Sequence, residues 1–345
     1  MTQYPLRRPH PLGVHPGYEH LREKCPVAEV GSPYGPAWLV TRYADVVAVL
    51  ADPRFSRAAA ATQDDGGILL NTDPPEHARL RRLVVAHTGA AGVERLRPAA
   101  EAAASDLAQG IPVEAEFLSA FAEPFSHRVL ALFVGQLVGL PHQDLDPMAT
   151  VLTLARVPDG ERAAAFTELH RRLRRQVDEE TLAVVCNIIF GGHAAVVAAL
   201  GYCLLAALAE PLPRLAGDPA RISEVVEETL RLAPPGDRTL LRRTTEPVDL
   251  GGRRLPAGAL VVPSIAAANR DPDRPAGART GRHLAFGRGP HACLGMALAR
   301  MELRAALKAL AEHAPGLRLA VDAENLRRTC EELSVSPLAA IPIRV

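Results

Sequence analysis

The stretch "FGRGPHACLG", Phe286–Gly295, sets one cysteine among three glycines, a proline and a histidine. The text that follows, "MALARMELRAALKALAEH", is strongly helical, so Cys293 belongs to a tight loop at the mouth of a helix. Four chemistries use such a cysteine. "GRGPHA" fits the dinucleotide pattern G-x-G-x-x-A, but the preceding "ARTGRHLAF" is a poor core strand and no second strand with a ribose-binding acid follows. His291-x-Cys293 can begin a zinc site, although partners at ligand spacing are missing. A buried structural thiol is the ordinary use of a lone cysteine. The fourth use is a thiolate ligand to haem iron. There small residues let backbone N–H groups turn toward the sulfur, and the helix start brings its positive end to the anion.

The whole chain narrows the field. Its 345 residues can bury a large core, and at 48% hydrophobic and 23% charged it has an ordinary globular composition. Lys+Arg and Asp+Glu both total 39, so no basic excess points to nucleic acid or an anionic membrane. Cys25, Cys186, Cys203, Cys293 and Cys330 are scattered, without a CxxC or paired spacing, which implies neither a disulfide framework nor a zinc site. The first residues carry no apolar segment like that of a signal peptide. The run "LAVVCNIIFGGHAAVVAALGYCLLAALA" is long enough for a membrane span. With Asn187 and His193 in its middle and no aromatic girdle, it reads as a buried central helix. The expectation is a soluble, cytoplasmic protein with reduced thiols and neither nucleic acid nor membrane as partner.

Helical periodicity dominates from about Tyr43 onward. "AWLVTR" (37–42) alternates like a strand, and "YADVVAVLAD" begins a helix that Pro53 stops. "PPEHARLRRLVVAH" opens a helix with prolines and sets His77 and Arg81 one turn apart. Further helices are predicted near 92–109, 115–137, 160–177, 180–210, 220–233 and 293–313. "VDLGGRRLPAGALVVP" (248–263) reads as short strands around turns, and "LSVSPLAAIPIRV" as a terminal hairpin. No linker divides the chain. The expected fold is mainly α, one domain over residues 1–345 with small β-sheets.

The cysteine stretch closely resembles the haem-binding loop of the cytochrome P-450 family, Phe-x-x-Gly-x-x-x-Cys-x-Gly, in which Phe286, Gly289, Cys293 and Gly295 fit. Thiolate-ligated haem is that family's hallmark. The resemblance runs over nearly the whole chain and implies haem b, a helix-rich triangular prism, and Cys293 as the iron ligand, with Gly287 also in the loop. "EETLRL" supplies Glu228-x-x-Arg231, the family's buried ion pair, which Arg279 in "ARTGRH" is expected to complete. By the same resemblance His77, Arg81, Arg242 and His291 contact the haem propionates, carboxylates that need charge-assisted donors when buried.

Two departures stand out. The family's long helix carries Ala/Gly-Gly-x-Asp/Glu-Thr, whose acid and alcohol relay protons to the oxygen being activated. Here "FGGHAAVV" puts Ala194 and Ala195 in those places. At 100° per residue Gly191 and Ala195 lie within about 40° of each other, with Asn187 close by and His193 pointing away. Gly191, Ala195 and Asn187 are therefore the expected distal-pocket residues, and His193 a packed one. The second departure is length: only about thirty residues stand between "GLPHQDLDPM" and "DEETLAVV", where the family builds its mobile lid. "TVLTLARVPDGERAAAFTELHRRLRRQV" is expected to supply two short helices around Pro158-Asp159-Gly160, and a partner protein can complete the pocket.

The resemblance thus implies a haem-thiolate oxidoreductase of secondary metabolism acting on a small or carrier-bound biosynthetic intermediate. Its oxidant is a ferredoxin and reductase pair with oxygen, or peroxide, and the missing relay implies atypical oxygen activation: peroxide-driven, substrate-assisted or redox-neutral. The alternative is a non-catalytic homologue serving as partner of another biosynthetic enzyme, against which the retained Cys293 speaks.

Overall fold

The apolar run forms a helix, Glu179–Ala207, through the middle of the protein. Its start is written in the sequence, since the Asp178 carboxylate accepts the Thr181 N–H at 2.7 Å and satisfies one of the free donors of the first turn. By length and composition this helix could cross a membrane. It is instead largely buried, with Leu182, Val185, Ile189, Val197, Leu200 and Leu204 in the largest apolar cluster. The computed structural model describes residues 2–61, 69–153, 157–275, 283–329 and 335–345.

Helices wrap this axis because each presents one apolar stripe. The helix after the cysteine loop, Met296–His313, packs along Ala90–Gln109 and also touches the central helix and Pro219–Leu232. Glu123–Val138 lies on the central helix, preceded by a wide turn of π geometry at Leu118–Ala122. Phe117, Phe121 and Phe125 stack through that join, with ring centroids 5.5 and 5.6 Å apart. Glu76–Thr88 packs on the central helix from the cysteine side. The short region before the central helix holds two helices, Pro147–Leu152, which begins ahead of the predicted stretch at 150–177, and Asp159–Leu173 within it. Pro158 marks the start of the second rather than the middle of a turn between them.

The β-structure is small. A six-stranded sheet runs in the order Thr2–Gln3, Val27–Ser32, Gly35–Val40, Leu260–Pro263, Arg242–Thr244 and Phe55–Ser56. The predicted strand at 37–42 lies two residues earlier, because Thr41 and Arg42 already lead into the helix Tyr43–Ala51. Val248–Leu250 and Arg253–Leu255 form the expected hairpin around Gly251 and Gly252. The predicted terminal hairpin is not formed among the described residues. Pro342–Arg344 instead takes the centre of a three-stranded sheet between Glu114–Glu116 and Arg318–Leu319. Ile343, buried at 1% exposure, gains more from the core there than from folding back on its own neighbours.

Candidate active site

The cysteine loop is shaped by backbone that only glycine accepts easily. Gly287 and Gly289 have φ of 66° and 74°, and a Cβ on Gly289 would stand 2.3 Å from the Leu50 carbonyl oxygen. Between them and the helix, the Cys293 N–H donates to the Phe286 carbonyl at 2.8 Å and the Ala292 N–H to Gly289 at 3.0 Å. Gly295 caps the helix Met296–His313. The Cys293 side chain is open to solvent on one face. Protein crowds the others, and that burial pushes its thiol up, while the Gly295 N–H, Arg81 and Arg300 pull the other way. This is a sulfur with a free face, the Gly295 backbone behind it and cations nearby, which suits a metal-bound thiolate.

Arg81 donates to the Ala292 carbonyl at 2.6 Å and to Pro290 at 3.4 Å, so it clamps the loop from the helix Glu76–Thr88. One turn earlier, His77 lies against His291 with ring centroids 4.0 Å apart. Among the described residues neither His291 nitrogen has a hydrogen-bond partner, and burial with the neighbouring cations holds the ring down to about 3. Arg242 is 2% exposed and donates to the Leu240 and Leu241 carbonyls at 3.1 and 3.2 Å. Burial, then the nearby Arg57, pushes it down to about 10. The nearest acid, Asp73, is occupied by the Ser56 hydroxyl and the Arg57 and Ala58 N–H groups, and stays 4.0 Å from His291. Among the described residues, two imidazoles and a buried guanidinium thus gather around a single carboxylate, Asp73, whose oxygens are already taken up by Ser56, Arg57 and Ala58. A cluster short of anions fits the propionates of haem.

On the central helix, Gly191 is exposed and a Cβ added there would meet nothing within 4 Å. Ala194 and Ala195 are half-buried beside it. Asn187 is buried, donates its Nδ2 to the Ala183 carbonyl at 2.8 Å and leaves Oδ1 without a partner among the described residues. His193 points away, as predicted, with Nδ1 3.1 Å from Ser126 Oγ on the helix Glu123–Val138. Burial and then His127 push its pKa down to about 4, so it is neutral at pH 7. Phe190 is 50% exposed next to Gly191 and faces Phe166 of the helix Asp159–Leu173 at 6.1 Å.

Glu228 and Arg231 do pair, with Arg231 Nε donating at 2.8 Å. The expected full burial is not found: the Glu228 side chain is 41% exposed against 13% for Arg231. Arg231 also donates to the Asn269 carbonyl at 3.0 Å, and Asn269 Oδ1 accepts the Leu284 N–H at 2.7 Å, which ties the pair to the start of the cysteine loop. Arg279 lies outside the described residues. Among the described residues no group of three potential metal-ligating side chains occurs, so a zinc site at His291 and Cys293 finds no further ligands. Two cavities of about 210 and 270 Å³ lie elsewhere, one lined by Arg221, Val225 and Thr229, the other by Trp38 and Arg243.

Comparison with known proteins agrees with this geometry. The cytochrome P450 family profile matches residues 222–313, the segment from the ion-pair helix through the cysteine loop. A cytochrome P450 107B1 from Saccharopolyspora erythraea is 33% identical, covering 94% of this chain and 95% of its own. The chain belongs to the cytochrome P450 family. Members of the family bind haem b and act as monooxygenases, and this P450 is an enzyme of that kind. It is 35% identical to a nocardicin C N-oxygenase from Nocardia uniformis subsp. tsuyamanensis, with 94% of each chain covered. That alignment spans 376 positions against 345 residues here, so the relative carries segments this P450 lacks. A solved structure of the mixed-function P450 MycG superposes with a TM-score of 0.88 at 30% identity, over 99% of both chains.

Sequence reasoning passed over several residues of the site. Asp73 stands immediately before the quoted "PPEHARLRRLVVAH" without a role, and Glu227 precedes the recognised Glu228. Arg57, in "FSRAAA", carries no pattern that distinguishes it from a surface arginine, yet it is 1% exposed.

Proposed function

We propose that this P450 oxidises a small or carrier-bound biosynthetic intermediate, with Cys293 as the ligand to haem iron. The observation that carries the reading is the open Cys293 thiol beside the anion-poor cluster of His77, His291 and Arg242. Haem b, when bound, supplies oxygen activation at iron. The chain supplies everything around it. Gly287, Gly289 and Gly295 keep the loop narrow, and the Gly295 N–H supports the sulfur's charge. Arg81 locks the loop carbonyls, and together with His77, His291 and Arg242 it would hold the propionates. Gly191 and Ala195 leave room for substrate, Asn187 Oδ1 offers an acceptor for a hydroxyl or amine, and Phe286 shields the cysteine side. Residues 1–345 act as one domain in the cytoplasm.

Ala194 and Ala195 can neither hold nor pass a proton. A positioned acid or base contributes ~10²–10⁴-fold to a proton-transfer step. In this P450 the proton comes from ordered water or from a hydroxyl or amine of the substrate, or the need is reduced by using peroxide in place of oxygen and a ferredoxin and reductase pair. Relatives named nocardicin C N-oxygenase and mycinamicin IV hydroxylase/epoxidase, the latter from Micromonospora griseorubida and 35% identical, support an oxygen-transferring enzyme over a non-catalytic partner. The test is turnover of hydroxyl- or amine-bearing biosynthetic intermediates, driven in parallel by a surrogate ferredoxin and reductase and by hydrogen peroxide. Product in either arm that is lost in Cys293→Ala supports the reading; no product with any such compound in either arm counts against it.

A further inference from the structure

The site as described leaves a buried acid without a role. Glu227, on the helix Pro219–Leu232, is 5% exposed and receives a two-pronged grip from Arg300: Nε to Oε1 at 2.7 Å and Nη2 to Oε2 at 3.0 Å. Arg304 brings an Nη2 to 3.5 Å of the same carboxylate. His283 places Nε2 3.3 Å from Oε2, at an angle too poor for a full hydrogen bond. Its Nδ1 accepts the Ala285 N–H at 3.2 Å, so a neutral ring carries its proton on Nε2, facing Glu227. Burial alone would push Glu227 up, but His283 and Arg300 outweigh it and hold the acid down to about 2.

The flat face of Arg300 is used as well. Its guanidinium carbon sits 4.5 Å from the centroid of the Phe286 ring, and the Phe286 carbonyl is the acceptor for the Cys293 N–H. Arg300 is also one of the two cations whose charge acts on the Cys293 sulfur. A chain of contacts thus runs from acid to guanidinium to ring to cysteine loop. A bidentate carboxylate fixes the plane of a guanidinium as no single bond can.

We propose that Glu227 is a positioning residue: it holds Arg300 flat against Phe286, offsets the arginine's charge beside the sulfur, and so sets the reduction potential of the iron. The inference rests on the reading that Cys293 holds that iron. Reduction adds one negative charge at the metal, which Arg300 favours and Glu227 opposes. The two charges therefore move the potential in opposite directions, whereas a purely structural pair would not separate by sign.

The experiment is a spectroelectrochemical titration of the haem-loaded protein, wild type against Glu227→Gln, Arg300→Leu and Arg300→Lys. Glu227→Gln is expected to raise the potential and Arg300→Leu to lower it, each by on the order of tenfold in the ferric–ferrous equilibrium, about 59 mV for one electron. Arg300→Lys, which keeps the charge, is expected to restore most of the shift seen with leucine. Shifts of the same sign in Glu227→Gln and Arg300→Leu, or potentials in both within threefold of wild type, overturn the proposal. If Glu227→Gln does not accumulate as folded protein, the two Arg300 variants decide: equal potentials in lysine and leucine overturn it. A wild-type protein without a thiolate spectrum overturns instead the assignment of Cys293 on which the inference stands.

Discussion

His77 and His291 face each other ring to ring, 4.0 Å between centroids, with the buried Arg242 guanidinium acting on both. They come from a helix and a loop more than 200 residues apart, and a shared anionic ligand explains bringing three basic groups together around a carboxylate, Asp73, that is already hydrogen-bonded elsewhere. Folding alone would favour their separation.

Arg242 should therefore act in opposite directions with and without haem. Burial lowers its pKa to about 10, so the folded haem-free chain carries this cation at a cost on the order of 1–3 kcal/mol. Arg242→Met should raise the unfolding midpoint of haem-free protein while lowering haem occupancy and slowing haem retention. Thermal unfolding of both forms checks this. Parallel losses in both would mean the arginine serves only the fold.

His193 makes stability depend on pH. Its pKa in the folded protein is about 4, against 6.5 for an ordinary histidine. As pH falls the unfolded chain takes the proton first, so the contribution is complete above about pH 6.5 and declines toward pH 4, by at most about 1.4 kcal/mol per unit. His193→Gln, able to keep the contact with Ser126, should flatten denaturant-measured stability across that window. A slope equal to wild type would contradict the burial argument.

Two glycines separate backbone strain from lack of space. Gly217 and Gly289 have nearly the same φ, 75° and 74°, but only Gly289 faces a backbone oxygen at 2.3 Å from an added Cβ. Gly217→Ala should cost about 1 kcal/mol and leave haem content intact. Gly289→Ala must shift the loop or the Leu50 backbone, and should cost clearly more and reduce haem binding. Equal effects on melting and haem content would show that the loop yields easily.

Ala194 and Ala195 predict the chemistry. Reductase-driven turnover on generic substrates should be poorly coupled, with reduced oxygen lost as peroxide. Ala194→Glu with Ala195→Thr should raise the ratio of product formed to nicotinamide cofactor consumed toward one, because a positioned proton donor speeds the productive proton-transfer step by ~10²–10⁴-fold. Tight coupling in the wild type, on a substrate without a hydroxyl or amine near the reacting carbon, would refute the expected uncoupling and the substrate-assisted route.

Local rules made much of this legible. The glycine-framed Cys293, the capping Asp178 and the apolar stripe of the central helix are encoded within a few residues of where they act. His193 could be turned away from the pocket by helix geometry alone, and its contact with Ser126 agrees. What stayed hidden depends on distant partners. Glu227 looks like any helix glutamate until Arg300, 73 residues on, reaches it. The terminal strand chose Glu114–Glu116 over its own neighbours because the core, rather than the turn, fixes its register. The exposure of Glu228 follows from which side of its helix meets the loop, and no pattern in "EETLRL" states that.

The central claim is that Cys293 holds haem iron as a thiolate, and the absorbance of the reduced carbon monoxide complex tests it most directly. The account predicts a Soret band at the red-shifted position characteristic of thiolate ligation in the wild type, absent in Cys293→Ala. A wild-type band at the position of histidine-ligated haem, or a red-shifted band that survives Cys293→Ala, would contradict it.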